Sequence, residues 1–107
     1  MHSVVITIPK EDANDFQIIL DTPGGLLDAG RDQVIKTYTA NFGNGIEADI
    51  KICNVDDPDS SPYIDAVLFQ DGNEVAVLEP GDTLIGEYIF DSPISDEKLR
   101  VIIRTNK

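Results

Sequence analysis

Apolar and polar residues alternate along several short stretches of this chain, and this alternation constrains the fold more than any other feature. From Ile46 to Asn54 the residues at positions 46, 48, 50 and 52 are apolar, and most of those between them are charged. Successive side chains of a strand point to opposite faces, so the pattern predicts a strand with one buried face. The same pattern recurs in Lys98–Thr105, Leu84–Phe90 and Val34–Phe42. Four half-buried strands are therefore predicted.

A tight turn forms the clearest local motif. The stretches Ile64–Phe69 and Glu74–Leu78 flank the tripeptide Asp71-Gly72-Asn73. An Asp-Gly step supplies the positive-φ positions that a two-residue turn needs, so these stretches predict a β-hairpin. A first strand is predicted at Ser3–Ile8, and it ends before Pro9 because proline has no amide hydrogen for the strand ladder.

The segment Lys10–Leu20 fits two structures. Its apolar residues have the spacing of a short helix, whereas Phe16–Leu20 alone also fits a strand. Asn14 and Asp15 are unfavourable in a helix interior, and two adjacent isoleucines favour a strand. The sequence therefore favours a strand after a polar turn, with one helical turn after Pro9 as a further feature.

Turn-forming residues separate the predicted strands at positions 22–25, 43–45, 56–62, 79–82 and 91–96. Seven or eight short strands in 107 residues predict one all-β domain over residues 1–107. We expect an antiparallel β-sandwich of immunoglobulin-like or jelly-roll-like type. A partly open barrel is the structural alternative. The chain has one Cys and no Trp, so it lacks the Cys, Trp and Cys core of antibody domains.

The charge of the chain restricts its partners. Twenty Asp and Glu residues outnumber eight Lys and Arg residues, for a formal net charge of −12. Such a field repels phosphate, so neither nucleic acid nor an anionic membrane surface is an expected partner. No apolar run approaches the length of a membrane span or a signal-peptide core. We therefore expect a soluble protein without membrane insertion, and the lack of a signal peptide favours a cytoplasmic location.

Residues that usually carry out catalysis are scarce. Cys53 is the only cysteine and His2 the only histidine, whereas a structural zinc site needs several such ligands and a catalytic triad needs a well-placed base. Cys53 is predicted on the polar face of its strand, where its thiol is accessible but has acidic neighbours that oppose reactivity. The glycines at 22–25 and 43–45 do not match a phosphate-binding loop. We therefore expect no enzymatic activity.

An acidic loop is the strongest polar cluster. Calcium binds oxygen ligands, and the candidate ligands here are Asp56, Asp57, Asp59, Ser61 and Asp65. The alternation of Asp57, Asp59 and Ser61 matches the start of a calcium loop, but no glycine or closing glutamate follows at the required positions. The alternative is a solvated loop in which Asp and Ser side chains bind backbone amides. No other cofactor is predicted.

Three functions are compatible with these features. The first is a non-catalytic protein-interaction or assembly module that binds a protein partner or a second copy of itself, with basic partners favoured by the acidic field. Ile85, Ile89 and Ile102 are predicted on outer strand faces, as in an interface, although burial under a loop is the alternative. The second function is calcium-dependent or carbohydrate binding through the Asp56–Asp65 loop. The third is an acidic DNA mimic, which requires a stripe of carboxylates.

Overall fold

The structure, a computed structural model, describes residues 2–25, 33–55 and 57–106. Within these residues the chain forms seven strands and one helix. In chain order they are β1 (His2–Ile8), α1 (Lys10–Leu20), β2 (Val34–Gly43), β3 (Ile46–Cys53), β4 (Tyr63–Gln70), β5 (Asn73–Gly81), β6 (Gly86–Asp91) and β7 (Lys98–Thr105). No helix in the described ranges is long and apolar enough to cross a membrane.

The strands form a four-stranded and a three-stranded sheet. β2, β3, β4 and β5 pair in sequence order, and every pair is antiparallel. The second sheet has the order β1, β7, β6, in which β6 is antiparallel to β7 and β1 is parallel to it. A parallel pair needs a long connection, and here the rest of the domain separates β1 from β7. The predicted all-β sandwich is confirmed, with seven strands.

The inner faces of both sheets share one hydrophobic core. The apolar positions that alternate along β3 are no more than 3% exposed, so that prediction is confirmed. The core includes Ala40, Phe42, Ile46, Ala48, Ile50, Ile52, Ile64, Ala66 and Leu68 from the four-stranded sheet, and Ile8, Tyr88, Phe90, Leu99, Val101 and Ile103 from the other. Their burial is the main force that holds the two sheets together.

The prediction of a strand in the segment Lys10–Leu20 is wrong, because these residues form α1. Ala13 and Leu20 are buried in the core, and Phe16 packs against it. These residues are three and four positions apart, so they lie on one face of a helix. Asn14 and Asp15, which lie between them, are exposed, where low helix propensity costs only tenths of a kcal/mol each. Burial of the apolar face therefore outweighs local preference.

The side chain of Gln17 attaches α1 to the connection between β5 and β6. Its Nε2 donates to the carbonyl oxygen of Asp82 at 2.9 Å, and its Oε1 accepts from the amide of Leu84 at 3.1 Å. Leu84 is fully buried, as the alternation predicted, although β6 begins later, at Gly86. The helix is therefore held both by its packing against the core and by hydrogen bonds to residues that are distant in the sequence.

The hairpin predicted around the Asp-Gly step is formed by β4 and β5. Gln70 pairs with Asn73, and the two residues between them have positive φ, 51° at Asp71 and 84° at Gly72. Both central residues of a type I′ turn have this conformation, which asparagine, aspartate and glycine adopt most readily. The turn sequence therefore sets the register of the hairpin next to the turn, where Gln70 pairs with Asn73 and Phe69 with Glu74.

Candidate functional site

The outer faces of the two sheets differ in charge. On the four-stranded sheet, the outward positions that carry charge are Glu47, Asp49, Lys51, Asp65, Glu74 and Glu79; we call this surface the acidic face. On the three-stranded sheet they are Glu87, Asp91, Lys98, Arg100 and Arg104; we call this surface the basic face. On the central strands β3 and β7 the residues next to them point into the core, so the two faces lie on opposite sides of the sandwich.

A shallow groove of about 470 Å³ lies at one end of the acidic face. It is lined by Gly45, Glu47, Asp49, Phe69, Asp71 and Gly72. The ring of Phe69 is half-buried among these three carboxylates, and the Nζ atom of Lys51 lies 5.9 Å from the ring centre. That separation is within the range of a cation–π interaction. The protein thus already places one of its own ammonium groups over this ring.

A second groove, of about 340 Å³, lies toward the other end of β4. Tyr63 and Val77 line it and are 43% and 51% exposed, and Asp65 and Glu79 add two carboxylates. Tyr63 and Phe69 are six positions apart on the same side of β4, which corresponds to about 20 Å along an extended chain. The acidic face therefore presents an aromatic ring with carboxylates at each of two well-separated places.

Two further interactions involve the charged side chains of the acidic face. Asp49 accepts a hydrogen bond of 2.8 Å from the Oγ1 of Thr39 on β2, so its carboxylate is held in place. Lys51 and Asp65 are directly opposite each other on β3 and β4, where opposite charges attract across the strands. The face is therefore acidic overall with one cation near its centre.

The basic face carries exposed apolar side chains between its charges. Val5, Ile85 and Ile89 are 40–45% exposed, and Ile102 is half-buried. Ile85 and Ile89 are thus exposed as predicted, and Ile102 is more shielded because β7 is the central strand, with Val5 and Glu87 on either side in the register. Single exposed aliphatic side chains are common on protein surfaces, and these would touch any molecule that docks on this face.

Two arginines of the basic face differ in how they are paired. Arg100 donates from Nε to the Oγ of Ser3 at 3.0 Å, and its Nη1 lies 3.3 Å from a carboxylate oxygen of Glu87. Arg104 donates from Nε to the Oγ1 of Thr7 at 3.3 Å. Within the described ranges no carboxylate forms an ion pair with Arg104. Its charge is therefore held in position but not neutralised by a neighbour.

The acidic loop uses its carboxylates for its own backbone. Asp57 accepts from the amide of Asp59 at 3.0 Å through Oδ1 and from the Oγ of Ser60 at 3.1 Å through Oδ2. The carbonyl oxygen of Ser60 in turn accepts from the amide of Gly24 at 2.8 Å. The first two bonds are those of a turn in which an Asp side chain accepts from local backbone and hydroxyl donors.

The calcium candidates are not brought together in the described part of the chain. Asp56 lies outside the described residues. Asp65 is a strand residue on the acidic face, whereas Asp57, Asp59 and Ser61 belong to the preceding loop. Over residues 2–25, 33–55 and 57–106, no three His, Cys, Asp or Glu side chains form a group that could hold a metal ion. The calcium site stays a prediction.

Cys53 is only 5% exposed, so the prediction of an accessible thiol is wrong. Its outward position on β3 lies between Val34 of β2 and Tyr63 of β4 in the register. Large side chains on both neighbouring strands can cover a position that alternation alone assigns to solvent. The other scarce residue, His2, packs its ring edge-on against Phe42 at 5.6 Å.

The grooves of the acidic face were missed by the sequence analysis. For Phe69 and Val77 the sequence predicts only a place in a hairpin. Each groove is formed by residues of neighbouring strands, and a single strand's pattern does not predict it. The signal that could have found the first groove is the Asp71-Gly72 turn, which places Phe69 opposite Glu74, whereas Val77 lies opposite Val67 only because the register shifts between Leu68 and Phe69. No known protein family matches the chain, and neither the curated proteins nor the solved structures include a match to it.

Proposed function

We propose that this protein is a non-catalytic interaction module that binds a basic segment of a protein through its acidic face. The observation that carries the proposal is the Lys51 ammonium over the ring of Phe69, a residue that lines the first groove together with Glu47, Asp49 and Asp71. This internal contact has the chemistry with which a partner's arginine or lysine would be held. The Tyr63 groove offers the same combination of ring and carboxylates.

Recognition combines two weak forces at each groove. A cation over an exposed aromatic ring contributes about 0.5–1 kcal/mol, and an exposed ion pair contributes about 0–1 kcal/mol. Two grooves together therefore support weak binding, and the surrounding carboxylates mainly increase the rate of encounter with a basic partner. Binding of this kind weakens as salt screens the exposed charges.

The spacing of the grooves defines the partner's shape. Phe69 and Tyr63 are six positions apart along β4, so an extended segment lying along this strand would place its basic side chains at two positions separated by six. Successive side chains of such a segment point alternately toward the protein and toward solvent, so two side chains separated by six positions point the same way. The partner we expect is therefore an extended segment with Arg or Lys at positions i and i+6.

The face, rather than an edge of the same sheet, supports this role. β5 is an edge strand with irregular register between Ile64 and Ala66 and between Leu68 and Phe69 of its neighbour β4, and it contains Pro80. Bulges and proline are features that prevent another chain from adding to an edge. β2, the opposite edge, also has two irregularities in its register. Backbone pairing with a partner is therefore disfavoured at both edges.

The test is titration with a synthetic peptide that has Arg at positions i and i+6, followed by NMR chemical shifts of the protein's amides. We expect shifts on β3 and β4 around both grooves. The double variant Glu47→Gln/Asp49→Asn should weaken binding at least about threefold, since each exposed contact is worth up to about 1 kcal/mol. The matched control is Asp96→Asn/Glu97→Gln, which removes the same charge from an exposed loop.

Equal weakening by the two double variants would mean that only the net charge matters, and it would contradict a specific site. A peptide with the two arginines at positions i and i+3 serves as a spacing control and should bind less tightly. Absence of shifts on the acidic face would also contradict the proposal.

The other two functions stay hypotheses that different ligands test. Calcium titration of the whole chain should give heat and a higher Tm if the loop of Asp57 and Asp59 binds this ion. A DNA mimic would displace DNA from a nucleic-acid-binding protein, although Lys51 interrupts the acidic face. The immunoglobulin-like or jelly-roll-like subtype is likewise a prediction, and the proposed role does not depend on it.

A further inference from the structure

We propose that the basic face of a second copy of this chain is a partner of the acidic face, so that copies associate head to tail. This inference rests on the proposed function, because it names the occupant of the same surface. It is carried by the complementary charges of the two outer faces and by the exposed aliphatic side chains on the basic one.

The charges of the two faces are opposite although the chain is strongly acidic. The basic face carries three cations against two carboxylates, in a chain whose net charge is −12. Within the described residues, the ion pairs of that face are Lys98 with Asp91 and Arg100 with Glu87. Among the described residues, Arg104 is therefore the cation of this face that forms no ion pair. Its guanidinium can therefore bind a carboxylate of another molecule without breaking an internal ion pair.

The acidic face offers such carboxylates. Among the described residues, Glu47, Asp49 and Glu79 form no ion pair within the molecule, and they line the two grooves. At surface separations beyond about 8 Å, physiological salt screens the repulsion between two acidic molecules. Charges that meet directly across the contact are screened less, so the local complementarity decides which faces meet.

The apolar groups of the two faces also match. Val5 and Ile89 project from the basic face, whereas Phe69 and Tyr63 line grooves on the acidic face. Sheets that stack face to face are separated by about 10 Å, with side chains of one sheet lying between those of the other. Aliphatic groups of one copy can therefore enter the shallow grooves of the next.

The position of the faces determines the type of assembly. Because they lie on opposite sides of the sandwich, a copy that binds with its acidic face still has its basic face available. Such a contact is heterologous and repeats along a row. A symmetric pair through two acidic faces would instead bring Glu47, Asp49 and Glu79 of one copy against carboxylates of the other, which is unfavourable.

The size of the sheets limits the strength of the contact. Three strands are about 14 Å wide and seven residues about 23 Å long, so the projected contact is only about 300 Å² per copy by the same spacing. This is well below a standard stable interface, which buries about 800 Å² per partner. The association should therefore be weak and increase steadily with concentration.

The experiment is sedimentation equilibrium of the whole chain from about 10 µM to about 1 mM, the range of weak association. We expect the average mass to rise with concentration. Arg104→Glu on the basic face and Glu47→Lys on the acidic face should each weaken association at least about threefold. An equimolar mixture of the two variants should restore it, because the two reversed faces then attract each other and the two unchanged faces form the wild-type contact.

The controls change the net charge by the same amounts elsewhere. Lys10→Glu and Glu97→Lys alter exposed residues of α1 and of the loop before β7, and they should leave the average mass unchanged. If the wild-type chain stays monomeric at every concentration, or if the mixture does not associate, the head-to-tail assembly is wrong.

The peptide titration separates this outcome from the proposed function. A monomeric chain whose acidic face still binds the diarginine peptide would overturn only the choice of a second copy as partner. A monomeric chain that does not bind the peptide would overturn both. If association occurs, the peptide should reverse it by occupying the same face.

Discussion

The backbone amide of Asp71 donates a hydrogen bond of 2.8 Å to the carbonyl oxygen of Gly45. This bond joins the β4–β5 turn to the β2–β3 turn at the same end of the four-stranded sheet. The contact is close, because a Cβ atom at Gly45 would overlap the Oδ1 atom of the Asp71 side chain. Both residues line the first groove of the acidic face, so this contact also shapes the candidate site.

We expect Gly45→Ala to lower the free energy of unfolding by about 1–3 kcal/mol, because it adds a side chain at φ +77° and displaces the exposed Asp71 carboxylate. Urea unfolding measures the loss. The matched control is Gly43→Ala, where φ is +82° but no atom lies within 4 Å of the added Cβ. That variant should lose only the backbone contribution, about 1 kcal/mol. Equal losses would mean that the close approach of the two turns is unimportant.

Replacement of Gln17 tests how α1 is attached. Gln17→Ala removes the donor to Asp82 and leaves the Leu84 amide without its acceptor. A lost bond to a partly buried group costs about 1–3 kcal/mol, which thermal unfolding followed by circular dichroism would detect as a lower Tm. Ile18→Ala serves as the control, since Ile18 is 63% exposed on the same helix. If both variants unfold alike, the polar attachment contributes little.

Tyr88 should make the protein sensitive to high pH. Its hydroxyl donates to the carbonyl oxygens of Leu84 at 2.7 Å and Thr83 at 3.1 Å, and burial raises its pKa from 10.0 to about 12. Folding therefore favours the neutral form. Its contribution to the free energy of unfolding is complete below pH 10, the pKa of tyrosine in the unfolded chain. The contribution is lost as the pH rises through about 12, the pKa in the folded protein. Its upper limit is about 3 kcal/mol for two pH units.

Urea unfolding at a series of pH values measures this contribution. The free energy of unfolding should fall between pH 10 and pH 12, and Tyr88→Phe should fall less steeply over that interval. At neutral pH the same variant should be about 1 kcal/mol less stable than wild type, because it lacks the hydrogen bonds. Parallel curves for wild type and variant would show that another group causes the decline.

The thiol of Cys53 should be protected from reagents in the folded protein. Its side chain is 5% exposed between neighbours on β2 and β4, and a disulfide-forming chromogenic reagent must reach the sulfur to react. We expect the reaction to be at least about a hundredfold slower in the folded protein than in protein unfolded by urea, because the reagent reaches the folded thiol only when the structure opens. Similar rates in both solutions would contradict the burial.

Local sequence predicted the strands well where one face alone is buried. Ile50 and Val101 lie at positions where strict alternation and burial agree, and the Asp71-Gly72 step has the backbone conformation that its residue types favour. The helix was missed because the propensities of Asn14 and Asp15 differ from those of good helix formers by only tenths of a kcal/mol. The burial of Leu20 and Ala13 contributes more, but it depends on sheets that form elsewhere in the chain.

The features of the candidate site are likewise only partly predictable from the sequence. The acidic composition and the hypothesis of a basic partner follow from the residue counts, and the exposed Ile85 and Ile89 follow from alternation. The segregation of charge does not, because it depends on which strands become neighbours. Arg104 and Glu47 lie on opposite sides of the molecule only because β7 pairs with β1 and β6 while β3 pairs with β2 and β4.

Period-two patterning and turn chemistry were thus sufficient to predict the strands, the all-β class and the β4–β5 hairpin, since the signals for these lie in residues close in sequence, and the acidic charge follows from composition. The helix α1, the burial of Cys53 and the two oppositely charged faces depend on contacts between distant segments. Those contacts form when the two sheets bury their apolar faces together, and the free energy of that burial outweighs the small local preferences of the chain.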